Sequence, residues 1–199
     1  MFSPGACIYF AGLLFAESLR FGRRVWRLRI PRSDRKQQAC RTSSELVVLA
    51  GIILGIWVLP AAFACTNLLS SLDYALPGWT LWIGTGLFLM GLVIRWKAQH
   101  DLGAAWSHTL ETGVEHRLVT TGIYAFSRHP LYVSLLFWAG AQPLLLHNVL
   151  AGWGGAVAVA LVWLVRVPRE ERMMLEQYGE AYRGYMEKTG RILSLSRSG

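Results

Sequence analysis

Residues 131–165 read LYVSLLFWAGAQPLLLHNVLAGWGGAVAVALVWLV, 35 consecutive residues without a formal charge. A hydrocarbon core of about 30 Å is crossed by roughly 20 residues rising 1.5 Å each, so one straight helix of this length would overshoot it. The run holds Pro143 and, just after it, the polar pair His147-Asn148. It predicts two short spans, 131–146 and 149–165, folded back on each other as a helical hairpin.

Similar runs lie upstream. Leu46 to Cys65 gives 20 uncharged residues and Tyr74 to Ile94 gives 21, and the first 16 residues are uncharged until Glu17 and Arg20 close them. With 53% hydrophobic and only 16% charged residues, against about 25% charged in soluble domains, disorder and coiled coil are excluded. The expected fold class is all-α, an integral membrane helical bundle of about five transmembrane helices. Its spans are 1–19, 46–65, 74–94, 131–146 and 149–165, in a single membrane domain, 1–199. No internal repeat or separate soluble domain interrupts it.

The basic residues test this topology independently. Nine Lys and Arg lie in 20–45, four in 95–130 and seven in 166–199, which together are all 20 in the chain. Five spans put those three segments on one side and leave Asp73 and neutral polar residues on the other. The positive-inside rule then sets the N-terminus outside and the C-terminus in the cytosol, of the inner membrane in a bacterium or the endoplasmic reticulum in a eukaryote. The net charge of +8 reads as a membrane surface, and the loop 20–41 suits anionic lipid headgroups at about 1 kcal/mol per cation. No nucleic-acid partner is expected, because no basic patch interleaves with aromatics. At the N-terminus the positive charges follow the apolar run, the reverse of a signal peptide, so 1–19 reads as a retained anchor. Cys7, Cys40 and Cys65 are odd in number and show no C-x-x-C spacing, which implies neither a disulfide framework nor a zinc site.

The chemistry must then lie in 95–130 and 166–199. The first carries His100, His108, His116 and His129 at spacings of 8, 8 and 13, without a helical metal-ligand pattern. Pro130 suits the first position of the fourth span, where its missing N–H costs nothing. That helix start, with Arg128 beside it, would attract a carboxylate or phosphate. In the tail, Arg166 marks the membrane boundary and Glu170-Glu171 follow within a turn. From about Arg169 a cytosolic amphipathic C-terminal helix would align Leu175, Tyr178, Tyr182 and Tyr185. Ionisable groups crowded where lipid meets cytosol are functional candidates by default.

The stretch HRLVTTGIYAFSRHPLY, His116 to Tyr132, followed after a hydrophobic hairpin by RVPREERMMLEQYGEAYRGY, Arg166 to Tyr185, resembles the isoprenylcysteine carboxyl methyltransferase family. Related phospholipid N-methyltransferases share the R-H-P-x-Y and E-E elements. The resemblance covers about residues 80–193, and the two motifs together carry it. It implies a membrane methyltransferase that binds S-adenosylmethionine on the cytosolic side and takes a lipophilic methyl acceptor from the bilayer. Carried over by motif, His116, Arg117, Leu118, Val119 and Tyr124, then His129, Pro130, Leu131 and Tyr132, would line the cofactor, and Glu170 would complete its site. Arg166 would be the catalytic residue that binds the acceptor's carboxylate. Ser134 stands where family members usually carry glycine, and Glu111 is the candidate for a further polar cofactor contact.

These roles agree with the chemistry. A carboxylate accepts from ribose hydroxyls or pairs with an ammonium, and aromatic faces suit a sulfonium cation. Methyl transfer rests on an in-line approach at about 3–3.5 Å, so positioning dominates. A carboxylate acceptor needs no base, whereas an amine acceptor would, with Glu171 or a histidine as first choice. Three other readings use the same scaffold: N- or S-methylation of another lipid or small hydrophobic acceptor, an NADPH-dependent membrane reductase, or a non-enzymatic membrane subunit.

Overall fold

The computed structural model describes residues 3–28, 43–102 and 118–194, with the backbone alone for 19–28 and 43–44. The described residues form an all-helical bundle. Its helices are α1 (Pro4–Leu28), α2 (Ser43–Ile52), α3 (Leu59–Cys65), α4 (Trp79–Leu102), α5 (Pro130–Leu146), α6 (Val149–Leu161), α7 (Val167–Tyr178) and α8 (Glu180–Lys188). Three continuous rods are long and apolar enough to cross a membrane: Glu45–Cys65, Trp79–Leu102 and Val149–Tyr178. The shorter apolar α5 and the α1 helix pack beside them.

Two of these rods contain a π-helical turn just before a proline. Proline lacks the N–H that would bond four residues back, so the ladder upstream loosens. The first turn, Ile53–Val58, precedes Pro60 and joins α2 to α3. Pro60 leaves the Ile56 carbonyl without its helical donor, and the buried Tyr9 hydroxyl donates to it at 2.9 Å. The second, Val162–Arg166, precedes Pro168 and joins α6 to α7. The helix that starts at Val149 therefore runs on past 165, and the tail helix is its continuation.

Tyr9, Leu13 and Ala16 of α1 recur at helical spacing and pack with Phe88 and Leu92 of α4 and Trp138 and Leu145 of α5. Phe88 and Trp138 stack at 5.3 Å between ring centroids, and the Arg95 guanidinium lies 5.4 Å from the Trp138 ring. Gly55 lets the α2–α3 rod approach α6 closely, since a Cβ there would stand 2.2 Å from the Gly154 carbonyl oxygen. Gln142 ties the same layer, its amide donating to Gly55 O at 2.8 Å and Ala151 O at 2.6 Å.

The hairpin closes at His147, whose φ of 46° reverses the chain. Asn148 then caps α6 by accepting from the Ala151 N–H at 3.0 Å, and its amide donates to Leu69 O and Asp73 Oδ1, each at 2.7 Å. Residues 74–78 are not helical. The Tyr74 N–H donates to His147 O, which pins that strand-like approach to the hairpin tip.

Candidate active site

At the opposite end of the bundle, the segment before α5 is folded by short-range geometry. Gly122 has φ of +64°, and a Cβ there would meet Asp101 Oδ2 at 2.2 Å, so only glycine admits the carboxylate that caps the following turn. Asp101 Oδ2 accepts from the Ile123 N–H at 2.8 Å, while its Oδ1 accepts from Lys97 Nζ at 2.6 Å. These donors hold the Asp101 carboxyl at about 2, well below its ordinary range. Its placement fixes the turn Gly122–Ala125, whose buried Tyr124 accepts at its carbonyl from the Tyr185 hydroxyl at 2.6 Å.

The chain then reaches Arg128, His129 and Pro130. α5 begins at Pro130 with His129 as its cap residue. One turn on, Tyr132 donates its hydroxyl to Glu170 Oε1. Arg166 Nε donates to the same oxygen at 3.1 Å, and the guanidinium also lies beside the Tyr132 hydroxyl. Glu170 Oε2 faces His129 Nδ1 at 3.9 Å. Trp163, from the π turn, closes the recess edge-on to His129 and Tyr132, with ring centroids 6.3 and 6.4 Å away. Five side chains from α5, its cap and the α6–α7 rod thus form one aromatic and charged recess at the end of the spans.

Glu171, the second acid of the pair, touches His129 from the other side, its Oε1 standing 3.4 Å from His129 Nε2. It is buried and receives Arg128 Nη2 at 2.9 Å on Oε1, and Arg191 Nε at 2.9 Å and Nη2 at 2.5 Å on Oε2. Burial pushes its carboxyl up, but the bonds from Arg191 and the charge of Arg128 outweigh that, leaving it below the ordinary glutamate range. One expectation is corrected here. Glu171 is saturated with cationic donors and is unfit as a general base. Arg128 pairs with Glu171 through Nη2, while its Nε is buried without a hydrogen-bond partner among the described residues.

The tail is corrected as well. Gly179, with φ of +52°, breaks the helix after Tyr178. Leu175 and Tyr178 therefore lie on α7, and the buried Tyr182 and Tyr185 on α8, rather than on one stripe. After α8 the chain returns to the site. The Arg128 N–H donates to Gly190 O at 2.9 Å, the Ser194 N–H to Phe126 O at 2.6 Å, and Ser127 Oγ to Arg191 O at 2.8 Å.

Of the residues that sequence singled out, the structure brings His129, Tyr132, Arg166 and Glu170 together, with Pro130 starting the helix and Leu131 partly buried beside it. Leu118 and Val119 lie in irregular backbone just before the turn, and Tyr124 packs in that turn, joined to α8. His116, Arg117, Glu111 and His108 lie outside the described residues. Ser134 is fully buried; its hydroxyl donates back to Leu131 O at 2.6 Å, and the small residue at that crossing is Gly91 on α4. Sequence reasoning missed Trp163, Asp101 and Arg191. A tryptophan three residues before the boundary arginine was the available signal for the first; none marked the others.

The same segment carries the match to known proteins. Residues 82–176 match the isoprenylcysteine carboxyl methyltransferase (ICMT) family. The protein-S-isoprenylcysteine O-methyltransferase of Saccharomyces cerevisiae is 34% identical over 113 residues, 54% of this chain and 46% of that protein. Protein-S-isoprenylcysteine O-methyltransferase A of Arabidopsis thaliana is 29% identical over 150 residues, 69% of this chain and 76% of that protein. The solved structure of the eukaryotic intramembrane Ras methyltransferase ICMT superposes with a TM-score of 0.52 at 25% identity, over 80% of this chain and 54% of that one. The chain thus spans about half the length of the yeast relative and of the solved structure. The ICMT match begins in α4 and ends in α7, so it contains the whole recess of His129, Tyr132, Trp163, Arg166 and Glu170. Arg191 lies beyond it.

Proposed function

We propose that this chain is an S-adenosylmethionine-dependent membrane methyltransferase that esterifies the carboxylate of an isoprenylcysteine-like lipophilic acceptor taken from the bilayer. The observation that carries this reading is the convergence of Tyr132 and Arg166 on one oxygen of Glu170, inside the ICMT-matched segment at the end of two apolar rods. S-adenosylmethionine fits such a recess: its ribose hydroxyls or ammonium suit the second oxygen of Glu170, and its sulfonium suits the faces of His129 and Tyr132. A cofactor with a 2′-phosphate suits it less, because Arg128 and Arg191 are paired with Glu171 and Arg169 lies 3.3 Å from Glu45.

When bound, S-adenosylmethionine supplies an electrophilic methyl group on a sulfonium. The chain's own residues then bind and orient. Glu170 accepts the cofactor's donors, kept in place by Tyr132 and Arg166. Arg166, partly exposed, presents its outer guanidinium nitrogens to one oxygen of the acceptor's carboxylate, which leaves the other oxygen to attack. The acceptor is already ionised, so no residue removes a proton. Burial pushes His129 below the ordinary histidine range although Glu170 and Glu171 pull it up, so it serves as a neutral wall. The lipid tail would stay among the spans, with the N-terminus outside and the C-terminus cytosolic. The sorting of Glu45, Asp101, Glu170 and Arg191 to one end and Asp73, His147 and Asn148 to the other supports that orientation.

The test is calorimetric titration of S-adenosylhomocysteine and NADPH against the detergent-solubilised wild type and Glu170→Ala, with labelled methyl transfer to a farnesylcysteine analogue. Binding of S-adenosylhomocysteine that Glu170→Ala abolishes, together with ester formation, is expected. Binding of NADPH alone, or of neither by folded protein, overturns the proposal in favour of the reductase or the structural subunit.

A further inference from the structure

Among the described residues, Arg128, Trp138 and Trp163 each keep a buried side-chain nitrogen without a hydrogen-bond partner, and of these three Trp163 belongs to the recess. The indole Nε1 of Trp163 is buried, and no hydrogen-bond acceptor meets it among the described residues. A buried N–H without a partner costs about 1–3 kcal/mol, and proteins rarely leave one except where another molecule completes it. Its surroundings are not an ordinary core: the ring stands edge-on to His129 and Tyr132, the two aromatics that flank Glu170. Trp163 also lies in the π turn Val162–Arg166 that ends at Arg166, and single π turns inside helices commonly mark functional sites. Of that pair, Trp163 is nearer the apolar α6 side and Arg166 nearer the polar α7 side.

We propose that Trp163 is a binding residue for the acceptor, its indole N–H donating to the carboxylate oxygen that Arg166 also holds, so that the other oxygen stays free to attack the methyl. This rests on the methyltransferase reading and deepens it. The N–H is assigned to the acceptor rather than to the methyl donor because Trp163 belongs to the uncharged run that ends at Val165, the part of the rod that an acceptor with its tail among the spans would meet. A neutral donor on that side fixes the carboxylate's orientation without adding charge inside the apolar layer. It also gives the site a means of rejecting hydrophobic molecules that lack a carboxylate, which would leave the N–H unpaired.

Trp163→Phe removes the N–H and keeps an aromatic ring against His129 and Tyr132. Methyl-transfer kinetics with a farnesylcysteine analogue should show KM for the acceptor raised roughly tenfold or more, as for loss of a bond to a charged group. The affinity for S-adenosylhomocysteine, read by calorimetry, should stay within about twofold. The competitive inhibition constant of a farnesyl thioether lacking the carboxylate should be lower for the variant than for the wild type, because the variant has no N–H to leave unpaired. An acceptor KM unchanged in active Trp163→Phe overturns this assignment while leaving the methyltransferase reading standing. Weakened S-adenosylhomocysteine binding with unchanged acceptor KM also overturns it, by giving the N–H to the donor. A wild type that methylates no isoprenylcysteine acceptor overturns both.

Discussion

Glu170 Oε1 receives a phenol and a guanidinium together, while Oε2 faces the recess, so the two oxygens of one carboxylate have different work. Glu170→Gln replaces one acceptor with an amide donor aimed at Tyr132 or at the ligand. Turnover is expected to fall at least a hundredfold with helical content unchanged by circular dichroism; near-normal turnover would remove Glu170 from the site. Tyr132→Phe keeps the ring and loses one bond to a charged group, about 1.5–3 kcal/mol in principle, so a drop of about tenfold or more in kcat/KM is expected. Arg166→Lys retains the charge but loses the fork that can hold Glu170 and a ligand carboxylate at once. Its acceptor KM should rise while S-adenosylhomocysteine binding changes little, and the reverse pattern would place Arg166 on the cofactor.

At the scale of the elements, contact between the α2–α3 rod and α6 depends on backbone approach. Gly55 leaves no room for a side chain against Gly154, and Gln142 bonds across the same layer. Gly55→Val forces the helices apart and should cost about 2 kcal/mol or more, seen as a lowered melting temperature in detergent. Gln142→Leu fills similar volume but removes the amide donor from the Gly55 and Ala151 carbonyls, at about 1 kcal/mol, since Ala151 O retains its place in the helix ladder. If Gly55→Val melted like the wild type while Gln142→Leu collapsed, the order of these two contributions would be inverted. The π turns belong to this scale too. Each stands upstream of a proline, and one of them places Trp163 and Arg166 together.

Across the whole molecule, the tail closes on the bundle through Arg191, Glu171 and Arg128, and the loop before α5 closes through Asp101. Both carboxyls are lowered in the folded protein, so their contribution is fully present above their unfolded range and is lost as pH falls through it. For Asp101 the window runs from the ordinary 3.8 down to about 2. The melting temperature should therefore be flat against these two groups above about pH 5 and fall below it. Asp101→Asn should shrink that acid slope; an unchanged slope would remove the group from the account. Arg191→Ala leaves Glu171 with Arg128 and should cost about 1–3 kcal/mol. Glu171→Leu buries Arg128 without its carboxylate and should cost more, about 3–5 kcal/mol by melting in detergent.

Much of this was legible in the chain. Uncharged runs mark the apolar rods because every backbone group in lipid must bond within its own helix, and His147-Asn148 marks the reversal because polar side chains belong at its edge. The R-H-P-x-Y and E-E motifs named His129, Tyr132, Arg166 and Glu170 because their spacing survives any detail of packing. Other features depended on partners far away in sequence. Charge at Arg166 shows where the apolar run stops, yet the hydrogen-bond ladder of α6 and α7 continues through it. The spacing of Leu175, Tyr178, Tyr182 and Tyr185 fits one helix, and Gly179 breaks it because α8 packs under the turn at Tyr124. Sequence offered Glu171 as a possible base beside Glu170, and Arg191, 20 residues on, binds it into the scaffold. Sequence by itself determined the helices, their amphiphilic ends and the residue types of the site, which follow from local hydropathy and spacing. Only the tertiary structure decided which acid is locked by two arginines and which is shared by Tyr132 and Arg166, because that depends on side chains brought together by folding.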